Sequence, residues 1–195
     1  GDMVDYKDML ELDRWALMRL NEVVKKALAA YDAYEYHVLY HTVHNFCVVD
    51  MSSFYLDIIK DRLYCEKPDS VIRRSAQTAM YRILSAISRL VAPILSFTAD
   101  EIWSYMNHCA SENPESVFLN DMPEKSGMTY SDEFVAKWVY IYDLRVDAKK
   151  ALELKRADKV IGSSLEADLV IAASDDYDKL VNIKDILPAV FIVSK

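Results

Sequence analysis

The sequence contains very little glycine, with only Gly1, Gly127 and Gly162 among its 195 residues. Tight β-turns and phosphate-binding loops depend on glycine, because it adopts left-handed backbone conformations at no steric cost. Its scarcity therefore argues against turn-rich β folds and against a phosphate loop. Low glycine and proline, with abundant Leu, Ala, Lys and Glu, favours helices.

Cysteine is also scarce, and Cys47, Cys65 and Cys109 form no paired spacing. An odd number without pairing is not a disulfide framework, so a reducing cytoplasm is the expected compartment. The sequence shows no signal peptide and no apolar run of about 18 residues, so we expect neither secretion nor a membrane span. It starts and stops abruptly, which suggests a fragment of a larger protein.

The common catalytic motifs are missing. The chain has no GxGxxG, GxxxxGK[ST], GxSxG or HExxH, and no nucleophile, base and oxyanion donor come together in its pattern. "VIGSSLEA" (160–167) is interpreted as a helix end followed by a turn, with Gly162 after the last helical residue. We therefore expect no chemistry from this chain alone, and assign it no catalytic residue.

Basic residues are fewer than acidic ones, and the formal net charge is −8. This balance excludes a protein that wraps nucleic acid by bulk charge, and we expect no DNA partner. The charge is uneven, however. Residues 100–133 hold eight acids and one base, whereas residues 60–74 hold five bases and three acids, so a local basic surface remains possible.

Helical periodicity dominates what is present. It predicts helices at 8–31, 35–63, 69–91, 98–108 and 131–162. "TADE" (98–101) is typical of a capping box, and Ser131 of an N-cap. Strands are predicted at "LEADLVIAA" (165–173) and "AVFIV" (189–193), with a short helix at "SDDYDKLVN" (174–182). The predicted fold is mainly α: a five-helix bundle over 1–150, followed by a small, truncated α/β segment over 151–195.

Three histidines form a stripe on the second predicted helix, at His37, His41 and His44, with Cys47 nearby. One helix can offer two such ligands to a metal, but the stripe spans roughly 10 Å along the axis, too far for three. The only other histidine is His108. We interpret the stripe as packing or surface histidines and predict no metal site, with a metalloprotein as the alternative hypothesis.

The third predicted helix has a polar face, which carries Arg74, Gln77, Tyr81, Arg82, Ser85 and Arg89. Arginine beside amides, hydroxyls and an aromatic ring suits RNA phosphates and unstacked bases. A solvated face explains the same pattern. Lys60 and Arg62 lie just before the turn into this helix and predict a basic corner.

Five stretches carry a resemblance to a known family. They are "DRWALMRLNEVV" (13–24), "HNFCVVDMSSFYLDIIKDRLYCE" (44–66), "RRSAQTAMYRIL" (73–84), "LVAPILSFTADEIW" (90–103) and "VIGSSLEA". In order and spacing they resemble the region after the catalytic domain of bacterial-type isoleucyl-tRNA synthetases. "APILSFTADEIW" alone suits several class I synthetases of the Ile/Val/Leu group, whereas "FCVVDMSSFYLDIIKDRLY" is narrower.

The resemblance implies the anticodon-binding bundle of class I aminoacyl-tRNA synthetases. Its partner would be the anticodon stem-loop of isoleucine tRNA, bound by a monomer. The parent ligase, acting in protein synthesis, joins isoleucine to its tRNA using ATP. The HIGH-like and KMSKS-like ATP signatures, the editing domain and the cysteine-rich zinc module are absent from this sequence. The resemblance therefore implies that the parent uses ATP with magnesium and holds zinc, and this chain alone is expected to be inactive.

The family match and the basic pattern together predict tRNA contacts. The candidates are Lys60, Arg62, Arg73, Arg74, Tyr81 and Arg82. We expect them to contact the RNA backbone more than the bases, and the acidic chain to bind tRNA weakly with strong salt sensitivity.

Alternatives to these contacts remain. Arg73 and Arg14 could instead form buried or half-buried ion pairs, with Asp50, Asp57 or Asp13 as partners. The alternative functions are the same module of a valyl-tRNA synthetase and a helical protein–protein interaction module.

Overall fold

The computed structural model describes residues 3–124, 130–172 and 176–193. These ranges are mainly helical and contain no strand, which confirms the mainly α fold. None of their helices combines the length and apolar character needed to cross a membrane. The chain divides into two compact units, one ending at Met128 and one beginning at Thr129.

The first unit is a helical bundle. Its helices are α1 (Glu11–Asp32), α2 (Tyr36–Asn45), a π-helical segment (Phe46–Tyr55), α3 (Leu56–Ile58), α4 (Lys60–Cys65), α5 (Val71–Val91) and α6 (Ser96–Ser104). Short 3₁₀ turns lie at Tyr6–Asp8 and Val117–Leu119. The long helix α1 packs against α2, the π-helical segment and α5. Its apolar positions recur every three or four residues, so one face enters the core.

The predicted second helix is interrupted. Its middle is π-helical, and the N–H of Leu56 donates to the carbonyl of Met51, five residues earlier. The buried residues here are Phe46, Asp50, Met51, Phe54, Tyr55 and Ile59. They recur every four or five residues, which matches a π-helix of about 4.4 residues per turn. An α-helix of 3.6 residues per turn would rotate part of this set into solvent.

The second unit contains α7 (Asp132–Ala157), a 3₁₀ turn at Ser164–Glu166, α8 (Tyr177–Ile183) and α9 (Leu187–Phe191). Helix α7 packs against α9. The Arg145 guanidinium is buried and donates a hydrogen bond to the Val190 carbonyl. This contact satisfies a buried charge that would otherwise be costly.

Both strand predictions are wrong in the described residues. Residues 165–172 contain part of a 3₁₀ turn and irregular backbone, and residue 173 lies outside the described ranges. The first three residues of the "AVFIV" run lie in α9, where Val190 and Phe191 are buried, and Ile192 is its left-handed C-cap. A strand here would leave its backbone groups unpaired, whereas a helix satisfies them internally. A short apolar run has the same sequence pattern in a buried strand and in a buried helix.

Three helix ends test the capping predictions. Ser131 caps α7 as predicted, accepting a hydrogen bond from the Phe134 N–H at 3.2 Å. The capping box at 98–101 is wrong, because α6 already begins at Ser96 and its N-cap, Leu95, makes no side-chain bond. Gly162 does not end α7 either. The helix stops at Ala157, and its last turn closes at Lys159.

The predicted domain boundary at residue 150 stays a prediction. Residue 150 lies inside α7, whereas the two compact units meet at Met128 and Thr129.

Lys159 supplies a testable feature of α7. Its φ of 57° is left-handed, and the next N–H, of Val160, donates to the Lys155 carbonyl at 3.0 Å. Glycine is favoured at this position. We expect Lys159→Gly to raise the free energy of unfolding of the second unit by about 0.5–1 kcal/mol, measured by urea denaturation. Ala151→Gly, inside the same helix, should lower it by about 1 kcal/mol; equal effects of both would contradict this interpretation.

Candidate nucleic-acid interface

A buried carboxylate ties four elements of the first unit together. Asp13, on α1, is fully buried. It accepts hydrogen bonds from the Tyr55 hydroxyl at 2.7 Å, from the Ser75 hydroxyl at 2.5 Å and from Arg62 Nη2 at 2.5 Å. Ser75 in turn accepts the Leu10 N–H at 2.9 Å. A charge in this position is stable because each of its neighbours is a donor.

Arg62 therefore has a structural role. Its side chain is 18% exposed. Its guanidinium donates hydrogen bonds to both carboxylate oxygens of Asp13, and Nη1 lies 3.3 Å from Oδ2. Burial raises the pKa of Tyr55 above its usual range, and the Asp13 carboxylate adds to that rise. Tyr55 accordingly stays a neutral donor to Asp13. The pair anchors α4 against the start of α1 and leaves Arg62 poorly placed to contact RNA.

The turn between α4 and α5 is held by two arginines. Arg73 Nη1 donates to the Glu66 carbonyl at 3.0 Å, and Arg74 Nε donates to the Pro68 carbonyl at 3.3 Å. Both side chains are half-buried. They fix the turn through its backbone while keeping positive charge beside it.

Two lysines and a tyrosine of this region have exposed side chains: Lys60 and Tyr64 lie on α4, and Lys67 lies in the turn. Tyr64 is 83% exposed. Lys60 and Tyr64, four residues apart on α4, share one face of the helix. Lys60 Nζ lies 3.0 Å from Asp57 in a surface ion pair. We call Lys60, Tyr64, Lys67, Arg73 and Arg74 the basic corner.

Tyr81 and Arg82 lie elsewhere on α5. They follow Arg74 by seven and eight residues, which is roughly 10–12 Å along the helix axis. The Tyr81 hydroxyl donates to Glu112 and accepts the Cys109 N–H at 3.0 Å. Arg82 lines a shallow groove with Val24 of α1 and Pro123. Of the six predicted residues, three belong to the basic corner, Arg62 is bound to buried Asp13, and Tyr81 and Arg82 lie farther along α5.

Tyr81 belongs to a polar cluster that docks the connection after α6 onto α5. Glu112 accepts hydrogen bonds from Tyr81 and from the Ser85 hydroxyl at 2.5 Å, and it lies 3.5 Å from His108 Nδ1. The Arg89 guanidinium donates to Ser85 and, at 3.2 Å, to the Asp121 carbonyl. Much of the polar face predicted to meet RNA is therefore covered by this connection.

The pKa of Glu112 is lowered. Burial acts to raise the pKa, but the hydrogen bonds from Ser85 and Tyr81, with those from Cys109 and His108, outweigh it. A carboxyl whose pKa is depressed by folding stabilises the protein above its unfolded pKa. That stabilisation is lost as the pH falls through the folded value.

We expect Glu112→Gln to lower the free energy of unfolding by about 1–3 kcal/mol at pH 7, because bonds to a charged acceptor become bonds to an amide. The difference from wild type should shrink as the pH falls from about 4.5, near the ordinary glutamate pKa, towards the lower pKa that Glu112 has in the folded protein. Urea denaturation at pH 7 and pH 3 measures this. Glu115→Gln, on an exposed side chain of the same connection, should change little, and a difference independent of pH would contradict the assignment.

The carboxylates proposed as partners for Arg73 and Arg14 are paired with other residues. Asp13 binds Arg62, Asp57 binds Lys60, and Asp50 accepts Arg19 Nη2 at 3.0 Å.

The histidine stripe lies on the surface. His37, His41 and His44 are exposed on α2, and the Tyr40 ring lies 5.2 Å from His41 and 5.4 Å from His44 between centroids. Within the described ranges, no three His, Cys, Asp or Glu side chains are grouped to hold a metal ion.

Two corner residues, Tyr64 and Lys67, were missed by sequence reasoning. The i, i+4 spacing of Lys60 and Tyr64 in "KDRLY" was a usable signal, since it places an aromatic ring beside a cation on a helix. The role of Arg62 gave no local signal, because Asp13 precedes it by 49 residues.

Comparisons with known proteins add independent findings. A family model described as the anticodon-binding domain of tRNA ligase matches residues 13–171. An isoleucine–tRNA ligase of Thermoanaerobacter sp. (strain X514) is 51% identical over the whole chain. Those of Syntrophotalea carbinolica and Desulforamulus reducens are 47% and 46% identical over the same extent. In each case the chain covers 21% of the relative's length, so it spans about a fifth of the curated relatives it matches.

Proposed function

This chain belongs to the family of anticodon-binding domains of tRNA ligases, and on that premise we propose that it binds the anticodon stem-loop of an isoleucine tRNA. The observation that carries the isoleucine assignment is the similarity along the whole chain, at 46–51% identity, to proteins named isoleucine–tRNA ligase.

The basic corner is the proposed contact surface. Lys60 and Lys67 are exposed ammonium groups that suit phosphate oxygens. Arg73 and Arg74 hold the turn by its carbonyls and add positive charge to it. A turn fixed in this way loses little conformational freedom on binding, which supports affinity.

Affinity of the chain alone is expected to be low. Asp61 and Asp69 are exposed in the same segment, and Arg62 is neutralised by Asp13, so the local excess of positive charge is small. Full affinity would need the rest of the parent protein, which adds further contacts to the same RNA.

The parent is proposed to be a monomeric cytoplasmic ligase that joins isoleucine to its tRNA with ATP. In this proposal ATP, magnesium and any zinc bind to parts of the parent outside this chain. The role of the chain is to position the tRNA.

Gel shifts test the RNA assignment. The chain is titrated at low salt into the anticodon stem-loop of an isoleucine tRNA and into the same hairpin with a changed anticodon. We expect weak binding that falls steeply with added salt and favours the isoleucine anticodon. Equal binding of both hairpins at every salt concentration would count against anticodon recognition by this chain.

A further inference from the structure

Tyr64 is an exposed aromatic residue without a structural explanation. Its side chain is 83% exposed on α4, a helix of six residues. Three other aromatic side chains are comparably exposed in the first unit: Tyr34, Phe97 and Tyr105. Single exposed apolar side chains are common on protein surfaces, so the residues around Tyr64 decide what its ring can bind.

The surroundings of Tyr64 distinguish it from Phe97 and Tyr105. Lys60 shares its face of α4, and Lys67 follows the last residue of the helix by two positions. By contrast, Phe97 follows the exposed apolar residues Ile94 and Leu95, and Tyr105 follows the exposed acid Glu101 by one turn. An aromatic ring between cations is the arrangement that binds unpaired RNA, because the cations meet phosphates and the ring stacks on a base.

Two contacts hold α4, the helix that carries Tyr64, against the bundle. Arg62, two residues earlier, fastens α4 to buried Asp13, and Arg73 fastens the end of the helix through the Glu66 carbonyl. A short helix anchored at both points holds the backbone of Tyr64 in place. Such preorganisation reduces the entropy lost when a base stacks on it.

We propose that Tyr64 stacks on an unpaired base of the tRNA anticodon loop, with Lys60 and Lys67 on the adjacent phosphates. This inference rests on the proposed function and adds a base contact to a surface otherwise assigned to the backbone. A protein partner at the same ring is the competing outcome, and the experiment below separates the two.

The test compares four variants of the 195-residue chain by fluorescence anisotropy with the isoleucine anticodon hairpin. Tyr64→Ala should weaken binding roughly 5- to 150-fold, the effect of losing one stacked base. Tyr64→Phe should bind nearly as wild type, because stacking needs the ring and not the hydroxyl. Tyr105→Ala is the matched control: its ring is 85% exposed but lies outside the basic corner, and its affinity should be unchanged.

The fourth variant, Tyr64→Trp, reports stacking directly. The native tryptophans Trp15, Trp103 and Trp138 are all buried, so the new indole would be the exposed one. Its fluorescence should be quenched by the hairpin and much less by a duplex without a loop. Quenching by both RNAs alike would overturn stacking on a loop base.

Failure of this inference can be told from failure of the proposed function. If Tyr64→Ala binds as wild type while the wild type still discriminates between anticodons, stacking is wrong and the function stands. If Tyr64→Ala and Tyr105→Ala lose affinity for the hairpin equally, the loss is not specific to Tyr64 and the inference is overturned. If the wild type binds no hairpin, both are overturned, and a protein that crosslinks at Tyr64 becomes the explanation of its exposure.

Discussion

Replacing Asp13 with alanine is expected to lower the free energy of unfolding of the first unit by about 3–5 kcal/mol. The carboxylate is fully buried, and its removal leaves the Arg62 guanidinium, only 18% exposed, without its counter-charge. Breaking a buried pair from one side is costly because the remaining charge stays desolvated. The hydroxyls of Tyr55 and Ser75 also lose their acceptor. Thermal or urea denaturation, followed by circular dichroism, measures the loss.

Asp50→Ala is the control for this prediction. Asp50 is also an acid paired with an arginine, but its partner Arg19 has a side chain that is 35% exposed. Water can solvate Arg19 after the change, so we expect a loss of about 1 kcal/mol. A similar loss for both variants would show that Asp13 does not link the elements as described.

The second large effect is expected from reversing charge at the basic corner. The double variant Lys60→Glu with Lys67→Glu should weaken binding of the anticodon hairpin at least about ten-fold at low salt. Two phosphate contacts become repulsive. A plot of the logarithm of the association constant against the logarithm of the salt concentration should therefore be less steep, with a slope smaller in magnitude by about 1.4. Both lysines are exposed, so the fold should be preserved. Binding isotherms at several salt concentrations measure both quantities.

The double variant Lys25→Glu with Lys26→Glu makes the same change in net charge on α1, where both lysines are also exposed. It should lower affinity only by the weaker, general repulsion and leave the slope nearly unchanged. Equal losses in the two double variants would mean that net charge, rather than the corner, governs binding.

The sequence predicted the helices well because amphipathic periodicity reports which face is buried. Ser131 was found as a cap because its side chain acts within three residues. The π-helical segment escaped notice, since its buried residues Phe46, Asp50 and Phe54, each four apart, also fit a helix of ordinary period over a short window. The run at 189–193 was assigned to a strand because five apolar residues carry no period of their own.

Part of the candidate site lies where the sequence placed it. Arg73 and Arg74 hold the turn between α4 and α5, and Lys60 begins α4 on the other side of that turn. Their contact with RNA stays a prediction. Arg62 could not be separated from them by sequence, because its burial depends on Asp13, 49 residues away. The Tyr81 hydroxyl is bound by Glu112, which belongs to a connection whose path the sequence does not specify.

The central claim, that the basic corner meets the anticodon loop, can be tested by placing a photocrosslinker in it. A benzophenone side chain at position 67 is compared with one at position 26, both on exposed lysines, in the presence of the isoleucine anticodon hairpin. The account predicts crosslinks from position 67 to loop nucleotides and few or none from position 26. Crosslinks from position 26 to the loop, with none from position 67, would contradict it.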